Sequence, residues 1–157
     1  CLSRGLGDVY KRQPYYDAHK CDFTRPYDGI PGMLKTITAA GVRLAVASNK
    51  YQDGAEKLVH HFFGEYDFVR ILGQREGQPI KPDPAIVDQV LAEVPSVTKS
   101  ETVYVGDSNV DMQTGLNAGV RTVGVSWGFR TREELAAYTP SAIVDTPEEL
   151  SRVILGA

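Results

Sequence analysis

Asp107 and Asp111 stand four residues apart, directly after the apolar run TVYVG at 102–106. At that spacing two carboxylates at a strand-to-helix junction share a helix face and can point into one crevice. Their repulsion is unfavourable unless a cation resolves it. Mg²⁺ suits such a place: it takes oxygen ligands, keeps several waters, and is usually held by one or two carboxylates plus a substrate phosphate. A reading without metal is also open. Asp107 can be a turn former, and Asp111 a first-turn carboxylate favoured by the helix dipole.

Two other segments carry groups that suit a phosphate. The stretch Ala47-Ser48-Asn49-Lys50 ends an apolar run and places a hydroxyl and an amide where a helix follows. Ser-Asn is equally a common turn or cap pair. In Lys81-Pro82-Asp83-Pro84, Pro82 disfavours helix at Lys81, so the lysine stays in an extended loop ahead of a helix capped by Asp83. Such a lysine either faces a ligand or is solvated surface. Trp127, in Ser126-Trp127-Gly128, can shape a site's rim or pack in a core.

The elements that must position these groups alternate. Apolar, β-branched runs at 42–48, 68–72, 102–106, 122–127 and 142–145 read as buried strands. Between them lie helical patterns. One runs from Ile30 to a stop at Gly41, with Pro31 near its start. Another puts Ala55, Leu58, Val59, Phe62 and Phe63 on one face and closes at Gly64. A third follows Asp83 and Pro84 through Ile86, Val87, Val90, Leu91 and Val94. Two late helices open with capping-box patterns, Thr131 to Glu134 and Thr146 to Glu149. Near-continuous apolar strands alternating with helices predict an α/β fold, a doubly wound, Rossmann-like parallel sheet covered on both faces. Ligands then bind at the carboxyl ends of the strands, where Ser48, Asn49 and Asp107 fall.

Composition narrows the partners. The 157 residues carry a formal charge of −3 with 42% hydrophobic and 24% charged residues, a globular balance with no basic cluster for nucleic acid. No apolar run reaches membrane-spanning length. Two cysteines, Cys1 and Cys21, are too few for a disulfide framework or a zinc site, so a reducing cytoplasm is the expected compartment. The opening CLSRGLGDVYKRQ has neither helical nor strand periodicity and resembles translated sequencing-adapter read-through. Residues 1–13 are therefore set aside as a non-native tail.

A hydroxyl at one strand end, a lysine before a helix, then Gly-Asp-x-x-x-Asp at a later strand end resembles the haloacid dehalogenase superfamily. TRPYDGIPGML, RLAVASNK, the KPDP box, VGDSNVDMQTGLNAGV and GVSWGFR look like its phosphoglycolate phosphatase branch over residues 15–157. The resemblance implies that Ser48 and Lys81 bind the transferring phosphoryl group and that Asn49 lines the same pocket. It also implies that Asp107 ligates Mg²⁺ and that Asp111 ligates or supports the metal. The activity implied is hydrolysis of a small phosphorylated metabolite through a phosphoaspartyl intermediate, by a monomer or homodimer. A sugar-phosphate mutase, a receiver-like domain and a binding remnant without turnover are the rival readings.

One part of the pattern is missing. The family's nucleophile opens an Asp-x-Asp motif on an N-terminal strand, yet no Asp-x-Asp precedes Tyr27, and Asp8, Asp17 and Asp22 follow no apolar strand. Residues 14–27 resemble the last cap helix and its return, leaving 28–157 as the carboxyl-terminal portion of the core. In the family the nucleophile strand lies between the Ser48 and Asp107 strands. The expectation is therefore a sheet with two exposed inner edges or with its halves paired directly, and a chain inactive alone.

Overall fold

The computed structural model describes residues 24–156. The tail expected over 1–13, both cysteines, Asp8, Asp17, Asp22 and residues 14–23 of the expected cap remnant lie outside the described residues. In the rest, the elements run α1 (Ile30–Ala39), β1 (Leu44–Tyr51), α2 (Gln52–Phe63), β2 (Phe68–Gln74), α3 (Ala85–Ala92), a 3₁₀ turn (Lys99–Glu101), β3 (Val103–Gly106), α4 (Asn109–Ala118), β4 (Arg121–Val125), α5 (Arg132–Ala136), β5 (Ala142–Val144) and α6 (Pro147–Leu155).

The five apolar runs all form strands, and every pairing is parallel. Each strand cannot turn back tightly on its parallel neighbour, so a helix makes every return. The strands form two separate ladders, β1-β2 and β3-β4-β5. Among the described residues β1 and β3 do not pair, so the outcome with two inner edges is the one found. Val105, in the middle of β3, is 37% exposed. Such unpaired main-chain groups are a template for another strand.

Packing nevertheless joins the two ladders. Leu72 of β2, Ile86 and Val87 of α3, Tyr104 of β3, and Ala118 and Val120 around the end of α4 form one buried cluster, against which Ala47 of β1 also packs. A second cluster, Val123, Val125, Val144 and Leu150, lies wholly in the three-stranded half. Helices α3, α4 and α5 follow one another in contact, while α1 packs against α6.

The helix boundaries correct several expectations. Helix α3 begins at Ala85, after Pro84; Asp83 still contributes, its Oδ1 accepting from the Ala85 N–H at 2.9 Å. Gly64 closes α2 in a right-handed conformation, so its freedom to adopt positive φ is not used. The Thr131–Glu134 capping box is complete. At α6 only half of it forms: Thr146 Oγ1 accepts from the Glu149 N–H, but Glu149 turns its carboxylate to the N–H of Asp145. β4 stops at Val125, so Ser126 and Trp127 begin a loop.

Candidate active site

β1 and β2 keep their register from Ala45 to Ala47, then lose it until Tyr51. The irregularity falls on Ser48, Asn49 and Lys50 and is bridged by Gln52. Its side chain donates to the Ile71 carbonyl at 2.8 Å and accepts the Gly73 N–H at 2.7 Å. The freed segment folds on itself, with the Lys50 N–H donating to Ser48 Oγ at 3.0 Å. Asn49 reaches the loop after β2, where its Nδ2 donates to the Lys81 carbonyl at 3.2 Å and its Oδ1 accepts the Lys81 N–H at 3.0 Å. Lys81 sits in a turn ahead of α3, joined to Pro82 by a cis peptide bond.

The Lys81 ammonium donates to the Ala47 carbonyl at 3.1 Å and to Asp111 Oδ1 at 2.7 Å. Both side chains are nearly buried, 10% and 11% exposed. Burying two charges costs several kcal/mol per ion, roughly, unless the remaining donors and acceptors are satisfied. Here they are. Asp111 Oδ2 accepts from Ser108 Oγ at 2.6 Å, and the Tyr104 hydroxyl donates to Oδ1 at 3.4 Å. Burial first, and the Asp111 charge second, push the Tyr104 hydroxyl well above its ordinary pKa, so it stays a donor. Ser108 also caps α4, its Oγ accepting from the Asp111 N–H at 3.3 Å. A side chain on Gly106 would collide with Asp111, so glycine is what lets the carboxylate lie across the strand end.

Asp107 is held from the other side. Its Oδ2 accepts the Phe129 N–H at 3.0 Å, and its carbonyl accepts the Arg130 N–H at 3.0 Å. Gly128 permits that approach, since a Cβ there would overlap the Asp107 carboxylate. Phe129 stands 60% exposed beside it, with the Arg130 guanidinium 5.5 Å over its ring. Trp127 packs on the second core cluster, as a core tryptophan would.

The geometry thus gathers Asn49, Lys81 and Asp111 through direct contacts at the strand ends, with Ser48 next to Ala47 in β1 and Asp107 one residue beyond the glycine on which Asp111 lies. The residues with no warning in the sequence are Tyr104, hidden inside an apolar run, Ser108, and the asparagine Asn117, whose Nδ2 donates to the Pro82 carbonyl at 2.9 Å. Among the described residues no group of three or more His, Cys, Asp or Glu gathers as a metal cage. Among the described residues a cation here would have few carboxylates to rest on. Mg²⁺ accepts that, being commonly held by one or two carboxylates with water and phosphate completing its shell. Asp107 presents a carboxylate with one oxygen tied to the Phe129 N–H, whereas both oxygens of Asp111 are already engaged.

Residues 7–125 match the haloacid dehalogenase-like hydrolase family. The chain belongs to that family. It is 32% identical to a phosphoglycolate phosphatase of Pseudomonas syringae pv. tomato over 98% of this chain and 53% of the relative. It is 25% identical to the pyrophosphatase PpaX of Halalkalibacterium halodurans, over 98% of this chain and 77% of that one. Among solved structures, a protein of Lactobacillus delbrueckii subsp. bulgaricus, provisionally named a phosphoglycolate phosphatase, superposes with a TM-score of 0.84 and 37% identity. That match covers 92% of this chain and 60% of the solved one. The family member thus spans between about half and three quarters of the length of these relatives. No helix among the described residues is long and apolar enough to cross a membrane.

Proposed function

We propose that this crevice is the phosphate-handling half of a Mg²⁺-dependent phosphomonoester hydrolase acting on a small phosphorylated metabolite, phosphoglycolate being the first candidate. One observation carries the reading: a nearly buried lysine, fixed at its ammonium by Ala47 and Asp111, lies at the strand ends between the Ser48 turn and the Asp107 loop. Ala47, whose carbonyl the ammonium meets, directly precedes Ser48 in β1, and Asn49, which holds the Lys81 main chain, directly follows it. These contacts put Lys81 beside the strand end that carries the Ser48 hydroxyl.

In this reading Lys81 and Ser48 bind the phosphoryl oxygens, and Lys81 offsets the negative charge that grows on them in the transition state. Phosphoryl transfer depends mostly on such positioning and electrostatics. Asp107 holds the cation, whose part is to neutralise phosphate charge and orient the transferring group. Asp111 holds Lys81 in place, with Tyr104 and Ser108 supporting it. The nucleophile comes from a strand seated between β1 and β3, because no Asp-x-Asp motif occurs in the 157 residues. The relative of 32% identity is named for phosphoglycolate, which favours that substrate over a diphosphate.

The test uses two proteins. The 157-residue chain should not hydrolyse phosphoglycolate or p-nitrophenyl phosphate above background. A chimaera that adds the amino-terminal part of the Lactobacillus protein ahead of residue 24 should hydrolyse both with Mg²⁺, poorly with the larger Ca²⁺, and not in excess chelator. Asp107→Asn in the chimaera should lower turnover by about 10²–10³. Turnover by the chain alone that Asp107→Asn abolishes, or chimaera activity indifferent to chelator, would contradict the proposal.

A further inference from the structure

The main chain around Lys81 is gripped by side chains from two different elements. From β1, the Asn49 carboxamide pairs with Lys81 in both directions, taking its N–H at 3.0 Å and giving to its carbonyl at 3.2 Å. From α4, Asn117 Nδ2 donates to the carbonyl of Pro82 at 2.9 Å. Proline has no N–H, so that carbonyl is the only polar main-chain group at position 82, and Asn117 takes it. Gln113, one helical turn earlier, donates through Nε2 to Asn117 Oδ1 at 2.8 Å, which turns the nitrogen end of Asn117 toward Pro82.

This arrangement has a physical purpose that helix or strand stability does not explain. Lysine has a flexible four-carbon stem, and fixing the ammonium alone leaves its Cα free to drift. Here the ammonium end is tied to Ala47 and Asp111, and the main-chain end to Asn49 and Asn117. The two asparagines also belong to opposite halves of the molecule, so the Lys81–Pro82 turn spans the division between the ladders.

We infer that Asn49 and Asn117 are positioning residues for Lys81: their carboxamides clamp the Lys81–Pro82 main chain so that the ammonium meets a phosphoryl group already ordered. The inference rests on the phosphate reading of the crevice. Neither asparagine needs to touch the phosphoryl group. Asn49, expected from the sequence to line the pocket, acts through the lysine main chain.

The test follows the Lys81 amide directly. In the ¹⁵N-labelled 157-residue chain, hydrogen exchange of the Lys81 N–H is measured by NMR beside that of β4 amides, and inorganic phosphate is titrated in with Mg²⁺. Asn117→Ala, and the near-isosteric Asn117→Asp that deletes the donor, should both speed Lys81 exchange and weaken phosphate binding by about five-fold, the worth of one modest hydrogen bond. Asn49→Ala should do more, and Gln113→Ala less, in the same direction. β4 exchange should stay fixed. Lys81 exchange unchanged in both Asn117 variants would overturn the inference, as would Lys81 and β4 accelerating together. If Lys81→Met abolishes phosphate binding while neither Asn117 variant weakens it, the inference falls and the phosphate reading stands. Binding that is absent in the wild type, or indifferent to Lys81→Met, removes the phosphate reading and the inference with it.

Discussion

In the three-stranded half, α4 buries Asp111, Met112, Thr114, Gly115 and Ala118, and Val123 of β4 is wholly inaccessible. In the two-stranded half, α2 buries only Gly54 and Ala55, while Leu58, Val59, Phe62 and Phe63 stay partly exposed. The two halves therefore hold their site residues by different means. Asp111 is placed by close packing of α4 on β3 and β4, so tight that glycine is needed at 106 and again at 115, where a side chain would collide with Thr122. Ser48, Asn49 and Lys81 are placed by polar side chains that stand in for missing ladder bonds, Gln52 between β1 and β2 and Asn49 between β1 and the Lys81 turn. Packing is stiff and costly to change; single hydrogen bonds contribute less.

That contrast can be broken by paired substitutions. Met112 is 1% exposed, so Met112→Ala should cost about 2–5 kcal/mol through lost burial and the cavity left behind. Phe62→Ala, on the half-exposed face of α2, should cost roughly 1–2 kcal/mol, because only part of its apolar surface leaves water on folding. Denaturant unfolding of both variants checks the order. Equal costs would mean that the two halves are packed alike.

The smallest effect sharpens the same comparison by pH. Ser126 Oγ donates to Asp145, and Arg132 lies 2.8 Å from the same oxygen; the hydroxyl bond first, and the arginine second, hold the Asp145 carboxyl below its usual pKa. A carboxyl depressed in the folded state stabilises above its unfolded pKa and loses that contribution as pH falls through the folded one. Ser126→Ala should thus lower the thermal midpoint slightly at pH 7, with the deficit shrinking below about pH 4. A deficit that grows on acidification would contradict the assignment.

Much of this was legible in the sequence for identifiable reasons. The strands were readable because their apolar, β-branched runs are unbroken; the split between β1 and β3 was one of two outcomes that the absent motif left open. Ser48, Lys81, Asp107 and Asp111 stood out by residue type and punctuation. The pairing of Lys81 with Asp111 did not, because thirty residues and a whole βα unit separate them and only the parallel topology brings them together. Asn117 reads as a solvated helix residue, and it is exposed; its role depends on a carbonyl from another loop. Glu149 fitted a capping box, but the Asp145 N–H at the end of β5 competes for its carboxylate and wins.

The central claim, that Lys81 marks a phosphate site and not a structural ion pair, has a direct test that needs no substitution to read it. The ¹H–¹⁵N signals of the lysine ammonium groups can be followed while inorganic phosphate is added to the intact chain with Mg²⁺, using Lys81→Met and Lys99→Met only to assign peaks. Lys99 pairs with Asp88 at 3.1 Å on the surface, about half exposed, and is the internal control. The account predicts a saturable shift of the Lys81 signal and none beyond the bulk salt effect at Lys99. A Lys81 signal that stays still, or that moves only in step with Lys99, would contradict it.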